Sequence, residues 1–365
     1  MSYWHLPDRY LNPLKIILLL GLIYLFLLSI ALIGSAFKLM GEDFARKIML
    51  IVSNPALGLI VGIFTTSIVQ SSSLTTSLVV CMVAGQVLSL KLAIPIVMGA
   101  NIGTSVTNLL VSLGHIGRRE EFERALSASV VHDFFNVLSV IVIFPLQVMF
   151  NILGISAKAV TDLFVNLGGL KIVNPLNLIL QPVTHVILSF FPKYPWIGII
   201  LAVVLLFISL RYLVVVMKSL VLKKIENFFD KYIFKTAVRS LLLGMFFTAL
   251  VQSSSITTSL VVPLAAAGVL SVRKIYPYDL GANVGTTITA FLASLATGNQ
   301  NAVIIAFCHT IFNLLGIMIW LPLKEVPIRM AITFAHWSAR RRWIPIAYIL
   351  LMFFLIPLLL IFLMR

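Results

Sequence analysis

Two Gln-Ser-Ser-Ser blocks carry the residue types best suited to binding, and they occur at Gln70–Ser73 and Gln252–Ser255. Each block places hydroxyls, a side-chain amide and the free N–H groups of a helix start at one point. A helix that begins there presents a partial positive charge to an anion. A helix that ends there offers its last carbonyl groups to a cation. The expected anion ligands are Ser71, Ser72, Ser73, Ser253, Ser254 and Ser255.

Paired threonines follow each block and add oxygen atoms, the ligands that hard cations take. The expected ligands for a cation such as Na⁺ in and after the blocks are Gln70, Thr75, Thr76, Gln252, Thr257 and Thr258. The alternative interpretation is that small Ser and Thr residues simply let helices pack closely. Two copies of a nearly identical eleven-residue stretch favour the binding interpretation.

A second duplicated block reads Gly-Ala-Asn-x-Gly-Thr, at Gly99–Thr104 and Gly281–Thr286. Glycine on both sides of the asparagine is expected to loosen the helix and leave carbonyl groups free for Na⁺. The alternative is a glycine-lined kink that serves packing. The candidate ligands of this block and the residues after it are Asn101, Thr104, Ser105, Asn283, Thr286 and Thr287.

Only two acidic residues, Asp133 and Asp279, fall inside apolar segments, and such residues are functional candidates by default. Asp279 lies two residues before Gly281, whereas the matching position of the first copy is Val97. We therefore consider Asp279 a candidate coupling acid, against the alternative of an interfacial or salt-bridged acid. His132/Asn136 and His309/Asn313 are i,i+4 pairs, for which hydrogen bonding between helices is the simpler interpretation.

The elements that must position these residues are membrane helices. Sixty per cent of the 365 residues are hydrophobic and 11% are charged, against about 25% charge in a soluble domain. This composition excludes a soluble enzyme and a disordered chain. The net charge of +15 is expected in cytoplasmic loops, and no nucleic-acid partner is expected. The two cysteines, Cys81 and Cys308, form neither a disulfide framework nor a metal-ligand spacing.

Seven apolar runs are each long enough to cross a ~30 Å hydrocarbon core. They are residues 14–37, 91–113, 125–149, 196–217, 275–296, 301–322 and 344–364. Two further runs, 56–86 and 238–270, are too long for one helix and too short for two, with Gln-Ser-Ser-Ser in the middle. They are expected to be re-entrant hairpins, because irregular backbone at that depth is tolerated only inside protein or beside water.

With the N-terminus inside and both hairpins re-entrant, 19 of the 27 Lys and Arg residues are cytoplasmic and 8 are external. This asymmetry predicts an integral protein of the cell membrane with a cytoplasmic N-terminus. Basic stretches at 218–239 and 324–343 are expected to be interfacial helices, with a regulatory or partner site as the alternative. Residues 151–195 are expected to form an external loop.

The sequence contains an internal repeat. Residues 62–113 align without a gap onto 244–295, and 28 of the 52 positions are identical. Three spans lie between the two hairpins, so the second copy is expected to be inverted relative to the first. Inverted copies with polar interruptions are typical of secondary transporters whose site lies at mid-membrane.

The predicted organisation has five parts. Residues 1–55 form an N-terminal span and connector, 56–150 form repeat 1, and 238–323 form inverted repeat 2. Residues 151–237 hold the external loop, a linking span and a cytoplasmic amphipathic helix, and 324–365 hold a basic interfacial helix and a C-terminal span. The fold class is an all-α polytopic membrane protein, each repeat having a re-entrant hairpin, a broken helix and a spanning helix beside scaffold helices.

The doubled Gln-Ser-Ser-Ser closely resembles the type II sodium/phosphate cotransporter family. The runs Ala93–Asn108 and Val131–Ser139 also resemble that family, and the likeness covers about residues 14–323. The resemblance implies Na⁺-coupled transport of inorganic phosphate, with both hairpin tips at the substrate. Its implied partners are phosphate, Na⁺ and the lipid bilayer, with no cofactor and no enzymatic activity. A homodimer is an arrangement that the sequence leaves open.

The residues add a physical constraint to this family interpretation. No Lys or Arg is expected deep in the membrane, and burial of an unpaired charge is costly. Helix N-termini contribute only ~0.3–2 kcal/mol each, so bound Na⁺ must supply positive charge. The alternatives are another oxyanion, phosphate export, a channel, or an intramembrane enzyme that uses His132 and Asp133.

Overall fold

The computed structural model describes residues 8–52, 54–169, 174–192, 194–228 and 236–364. Every regular element in these ranges is a helix. Seven helical segments there are long and apolar enough to cross a membrane, judged by length and composition. They are Pro13–Gly41, Leu90–Leu113, Arg119–Phe150, Pro195–Met217, Val272–Thr297, Gln300–Trp320 and Trp343–Leu363. The prediction of an all-α polytopic membrane protein with these seven spans is confirmed.

Each Gln-Ser-Ser-Ser block lies between two short helices. In the first half these are α2 (Pro55–Val69) and α3 (Ser72–Ala84). In the second half α10 (Ala237–Val251) is followed by α11 (Ser254–Ser259) and α12 (Val261–Ala266). None of them reaches the ~20 residues that a membrane crossing requires. The predicted interruption at both blocks is therefore present, and re-entry on one side of the membrane stays a prediction.

Local sequence signals account for where the hairpins begin. Asn54 caps α2, because its Oδ1 accepts a hydrogen bond from the Leu57 N–H at 2.9 Å, and Pro55 occupies the first helical position. Thr236 caps α10 by accepting from the Arg239 N–H at 3.3 Å. Pro263 lies inside the second arm and lacks an N–H, so this arm divides at Leu260 into α11 and α12 whereas α3 is continuous.

The prediction of a broken helix at the Gly-Ala-Asn-x-Gly-Thr blocks is only partly correct. In repeat 1, α4 (Leu90–Gly103) and α5 (Ser105–Leu113) meet at Thr104, whose backbone angles are still helical. In repeat 2, α13 (Val272–Thr297) is uninterrupted. The helix is therefore not loosened at the second block.

The glycines of these blocks serve close packing instead. A Cβ on Gly99 would lie 2.0 Å from the Leu59 carbonyl oxygen of α2, and one on Gly281 would lie 1.9 Å from the Leu241 carbonyl oxygen of α10. Only glycine allows two helix backbones to approach so closely. The packing alternative is therefore correct here, and each hairpin is held against the long helix of its own repeat.

Long helices surround the two hairpins. They are α1 (Asp8–Ile51), α6 (Arg119–Phe150), α9 (Pro195–Phe228) and α14 (Gln300–Trp320). The helix α1 kinks at Gly41, which has a φ of 77°, and it packs along α9. The span predicted at 196–217 coincides with the candidate segment Pro195–Met217, and α9 continues beyond it through Phe228. The predicted interfacial helix at 218–239 lies partly outside the described residues and stays a prediction. An apolar run is expected to end at the membrane surface, but the helix that contains it can continue beyond that point.

The predicted external loop at 151–195 contains two helices, α7 (Ile152–Asn166) and α8 (Asn174–Ser189). Leu153, Ala157 and Thr161 are fully buried and recur at four-residue spacing, so α7 has an inner face. This face packs on α14. The external location of the segment stays a prediction.

The predicted basic helix at 324–343 is present as α15 (Glu325–Arg340), which packs on α6. Arg273 of α13 forms an ion pair with Glu325, and this hydrogen bond and the arginine's charge lower the pKa of the Glu325 carboxyl. The C-terminal span follows as α16 (Trp343–Leu350), a π-helical turn (Leu351–Leu355) and α17 (Ile356–Leu363).

Candidate functional site

The two Gln-Ser-Ser-Ser tips have the same backbone conformation. Gln70 follows α2 with a φ of 55°, and Ser71 is extended with a φ of −148°. Gln252 and Ser253 repeat the pattern with φ values of 59° and −152°. A positive φ is uncommon for a residue other than glycine, and such strained residues cluster at functional sites. The duplicated block therefore folds twice into the same strained turn.

The two tips meet although 179 residues separate the contacting groups. The Ser73 hydroxyl donates a hydrogen bond to the backbone carbonyl oxygen of Gln252 at 3.1 Å. Beside this contact lies a cavity of about 340 Å³. The polar groups that the tips contribute to its lining are Gln70, Ser71, Ser73, Gln252, Ser253 and Ser255.

The structure separates the six predicted serine ligands into two groups. Ser71, Ser73, Ser253 and Ser255 line the cavity. The middle serines, Ser72 and Ser254, do not contribute to its lining, although Ser73 and Ser255 are about as buried as they are. The cavity therefore draws on the first and third serines of each block.

The predicted threonine ligands are buried beneath the tips. Thr75 bonds to Thr66 at 2.9 Å, and Thr257 bonds to Thr248 at 2.6 Å, so each hydroxyl pair joins the two arms of one hairpin. Thr76 donates to the Ser72 carbonyl oxygen at 2.8 Å. These threonines do not line the cavity.

Across the repeats, Thr258 exchanges hydrogen bonds with the amide of Asn108, at 2.8 and 3.1 Å. Thr104 and Thr286 each donate to the carbonyl oxygen four residues earlier, at 3.0 and 3.1 Å. A threonine hydroxyl inside a helix commonly donates to a carbonyl oxygen of the preceding turn. In this structure the two oxygens are therefore engaged by their own helices.

The two predicted asparagines belong to a polar cluster between the repeats. The Asn283 Oδ1 lies 2.7 Å from the His132 Nε2, and the Asn101 Oδ1 lies 3.1 Å from the His309 Nε2. Asn136 donates to the Asn101 carbonyl oxygen at 3.0 Å and accepts from the Asn283 amide at 2.8 Å. All five side chains are at most 2% exposed. The histidines therefore form hydrogen bonds between helices, which was the simpler interpretation of the sequence.

These contacts are reciprocal. A histidine from α6 of repeat 1 contacts the asparagine of α13 in repeat 2, and the matching histidine from α14 contacts the asparagine of α4. Such an exchange of equivalent contacts is what a two-fold relation between two halves produces.

The two intramembrane acids differ in their surroundings. Asp133 accepts a hydrogen bond from the hydroxyl of Tyr348 in α16. Asp279 is 1% exposed, and neither carboxylate oxygen has a hydrogen-bond partner among the residues that the structure describes. Because a buried unpaired carboxylate is costly, Asp279 requires a proton or a cation to compensate its charge.

Sequence reasoning missed Arg211. This residue lies within the candidate span Pro195–Met217 and lines the tip cavity. The cavity lining therefore includes a basic residue, and the expectation that no Lys or Arg lies deep in the membrane stays a prediction. The signal that could have located Arg211 is its position inside the apolar run 196–217.

The fold and the site together define a polytopic α-helical membrane protein with a duplicated hairpin around a polar cavity. The family described as Na⁺/Pi-cotransporter matches residues 25–172 and 205–360. The chain therefore belongs to the Na⁺/Pi-cotransporter family, and the resemblance seen in its motifs is confirmed.

Several curated relatives are similar to the chain. Sodium-dependent phosphate transport protein 2B of Pongo abelii and of Homo sapiens are each 34% identical over an alignment of 443 positions, gaps included, that covers 94% of this chain. Protein 2A of Ovis aries is 35% identical over an alignment of 426 positions that covers 94% of this chain and 67% of that protein. The chain spans 64% of the length of the two 2B proteins. No solved structure matches the chain.

Proposed function

We propose that this protein is a secondary active transporter that couples Na⁺ entry to uptake of inorganic phosphate. The observation that carries the proposal is the meeting of both Gln-Ser-Ser-Ser tips at one cavity. Ser71, Ser73, Ser253 and Ser255 are the proposed phosphate ligands, because hydroxyl groups can donate hydrogen bonds to an oxyanion. The names of the relatives, sodium-dependent phosphate transport proteins, support the choice of phosphate.

Na⁺ is proposed to bind at the same tips, through Gln70 and Gln252. Both glutamines line the cavity and end a helix, where side-chain and backbone oxygens are close together. The predicted threonine ligands and the Asn101 and Asn283 pair lie outside the cavity lining. Their roles as Na⁺ ligands stay predictions.

Alternating access is proposed to arise from movement of the paired repeats against the scaffold helices α1, α9 and α16–α17. The reciprocal histidine–asparagine contacts support a two-fold relation between repeats, as inverted-repeat transporters have. The excess of basic residues in the predicted inner segments supports a cell-membrane location with a cytoplasmic N-terminus.

The proposal is tested by uptake of radiolabelled phosphate into proteoliposomes that contain the purified protein, under an inward Na⁺ gradient. K⁺ and choline gradients are the controls. We expect saturable uptake that requires Na⁺ and persists in excess sulfate or succinate. Block by either competitor would indicate another oxyanion, and flux without saturation or Na⁺ dependence would indicate a channel. Movement of phosphate only out of the proteoliposomes, with no uptake, would indicate an exporter.

A further inference from the structure

A single face of α9 contributes to the lining of the tip cavity. Its residues recur at three- and four-residue spacing, so they share one side of the helix. They are Phe207, Leu210, Arg211, Val214 and Val215. The helix α9 belongs to neither repeat, and its principal packing partner is α1. The cavity is thus lined by both repeats and by a scaffold helix.

Arg211 is the one charged residue that lines this cavity among the residues the structure describes. Its side chain is exposed, and no acidic group in the described part of the chain forms an ion pair with it. A charged side chain within a membrane span is costly unless water or a counter-ion compensates it. The other side chains of this α9 face are apolar and offer no such compensation.

The chemistry of Arg211 complements that of the tips. A guanidinium group has five N–H donors in a planar fork that matches the oxygens of phosphate, and it stays protonated. The serines and glutamines of the tips are neutral. An oxyanion in this cavity would therefore meet both neutral hydrogen-bond donors and a fixed positive charge.

We infer that Arg211 is a phosphate ligand of the tip cavity, and that it supplies positive charge which bound Na⁺ would otherwise have to provide alone. This inference rests on the proposed function and deepens it. Because Arg211 belongs to α9 whereas the serines belong to the repeats, movement of the repeats changes its distance from the anion. The arginine therefore binds phosphate in the conformation in which this cavity is open.

The test measures binding of radiolabelled inorganic phosphate to the purified full-length protein in saturating Na⁺. The variants are Arg211→Gln and Arg211→Lys. Arg239→Gln is the matched control, since Arg239 is an exposed arginine in the first turn of α10 that does not line the cavity. We expect Arg211→Gln to weaken phosphate binding about tenfold or more, because a charge-assisted hydrogen bond is lost. Arg211→Lys should retain more affinity than Arg211→Gln, and Arg239→Gln should match the wild type.

A second readout separates charge recognition from a structural role. The loss in Arg211→Gln should be greater at a pH where the phosphate dianion dominates than where the monoanion dominates. Na⁺-induced thermal stabilisation of the variant, which reports the fold, should remain. If Arg211→Gln does not fold, Arg211→Met replaces it, because methionine has a similar length and suits an apolar span.

The outcomes distinguish this inference from the proposed function. Wild-type protein that folds but binds no phosphate in Na⁺ would overturn the proposed function, and the inference with it. Wild-type binding with equal affinity in the neutral Arg211 variant would overturn the inference alone. An equal loss at both pH values would also overturn it, since a charge contact must discriminate between the two phosphate forms.

Discussion

The first and third serines of each tip have surroundings that differ from those of the middle serine. Ser73 and Ser255 line the cavity, whereas Ser72 and Ser254 do not. We expect the double substitution Ser73→Ala with Ser255→Ala to reduce phosphate uptake by about tenfold or more, because two ligand hydroxyls are lost. The double substitution of Ser72 and Ser254 by Ala should have a smaller effect. Proteoliposome uptake at matched protein levels compares the two variants.

The order of these effects is the decisive result. A greater loss in the Ser72/Ser254 variant would place the anion deeper in the tips than the cavity described here. From the sequence, all six serines are equivalent candidates, since the motif contains no information on which hydroxyl faces outward. The αL turn at Gln70 and its partner at Gln252 sets that direction, and a positive φ at glutamine is not predictable from a propensity.

Asp279 supports a prediction on coupling. Its buried carboxylate has no hydrogen-bond partner among the described residues, so its charge must be neutralised by a proton or a cation. If Na⁺ supplies that charge, Asp279→Asn should lower the Na⁺ Hill coefficient of phosphate uptake and remove about one charge per transported phosphate. Flux and current recordings on the same membranes measure both quantities.

The matched control for this change is Asp43→Asn, since Asp43 is an exposed acid on α1. That variant should transport like the wild type. An Asp279→Asn protein with normal Na⁺ dependence and normal charge movement would show that the acid is carried protonated and plays no part in coupling. Folding should survive the substitution, because it replaces a buried acid with a neutral side chain of similar shape.

The packing of each hairpin against its long helix depends on glycine. A Cβ on Gly281 would lie 1.9 Å from the Leu241 carbonyl oxygen, so Gly281→Ala must force α10 and α13 apart. We expect a loss of stability on the order of 1–3 kcal/mol, the usual result of overpacking. Gly21→Ala is the matched control, because nothing lies within 4 Å of its added Cβ. Thermal unfolding of both variants in one detergent measures the difference.

Gly21→Ala should be neutral or stabilising by up to about 1 kcal/mol, since alanine is the better helix former. Equal melting temperatures for the two variants would contradict the close approach at Gly281. The sequence correctly predicted that both glycine blocks lie in helices. It wrongly predicted that the glycines loosen the helix and free carbonyl groups for Na⁺. Glycine permits a kink and close packing equally, and only the position of the neighbouring helix decides between them.

The sequence predicted the elements with uneven success for physical reasons. The seven spans were predictable because an apolar run must be about 20 residues long to cross the membrane. The two hairpins were predictable because a polar block interrupts their apolar runs. The helices α7 and α8 were missed, since their Gly, Pro and Asn residues suggested a loop.

At the scale of the whole molecule, the cavity depends on distances that a repeat pattern does not contain. The duplicated motifs predicted that two tips exist, and their resemblance to a family implied that they meet. Arg211 lies outside both repeats, so no internal alignment could connect it with the tips. Its position beside the tips follows from the packing of α9 on α1, α3 and α10. These contacts exist only in the folded chain.

The inverted arrangement of the repeats makes a prediction that single cysteines can test. Cys81 and Cys308 are buried, so the native protein should not react with a membrane-impermeant maleimide. Gly117 and Asn301 are exposed and lie just after the equivalent helices α5 and α13. If the repeats are inverted, these two positions lie on opposite sides of the membrane.

We expect Asn301→Cys to be labelled from outside in intact cells, and Gly117→Cys only after the cells are permeabilised. Gly117 has open space around its added Cβ, so a cysteine fits there without a clash. Lys158→Cys serves as the external reference, because the excess of basic residues on the inner side predicts that position outside. Labelling of Gly117→Cys and Asn301→Cys from the same side would rule out the inversion. The two tips would then have to meet at one cavity although their repeats run in parallel. In that case, movement of an inverted pair of repeats could not open the cavity to the two sides of the membrane in turn.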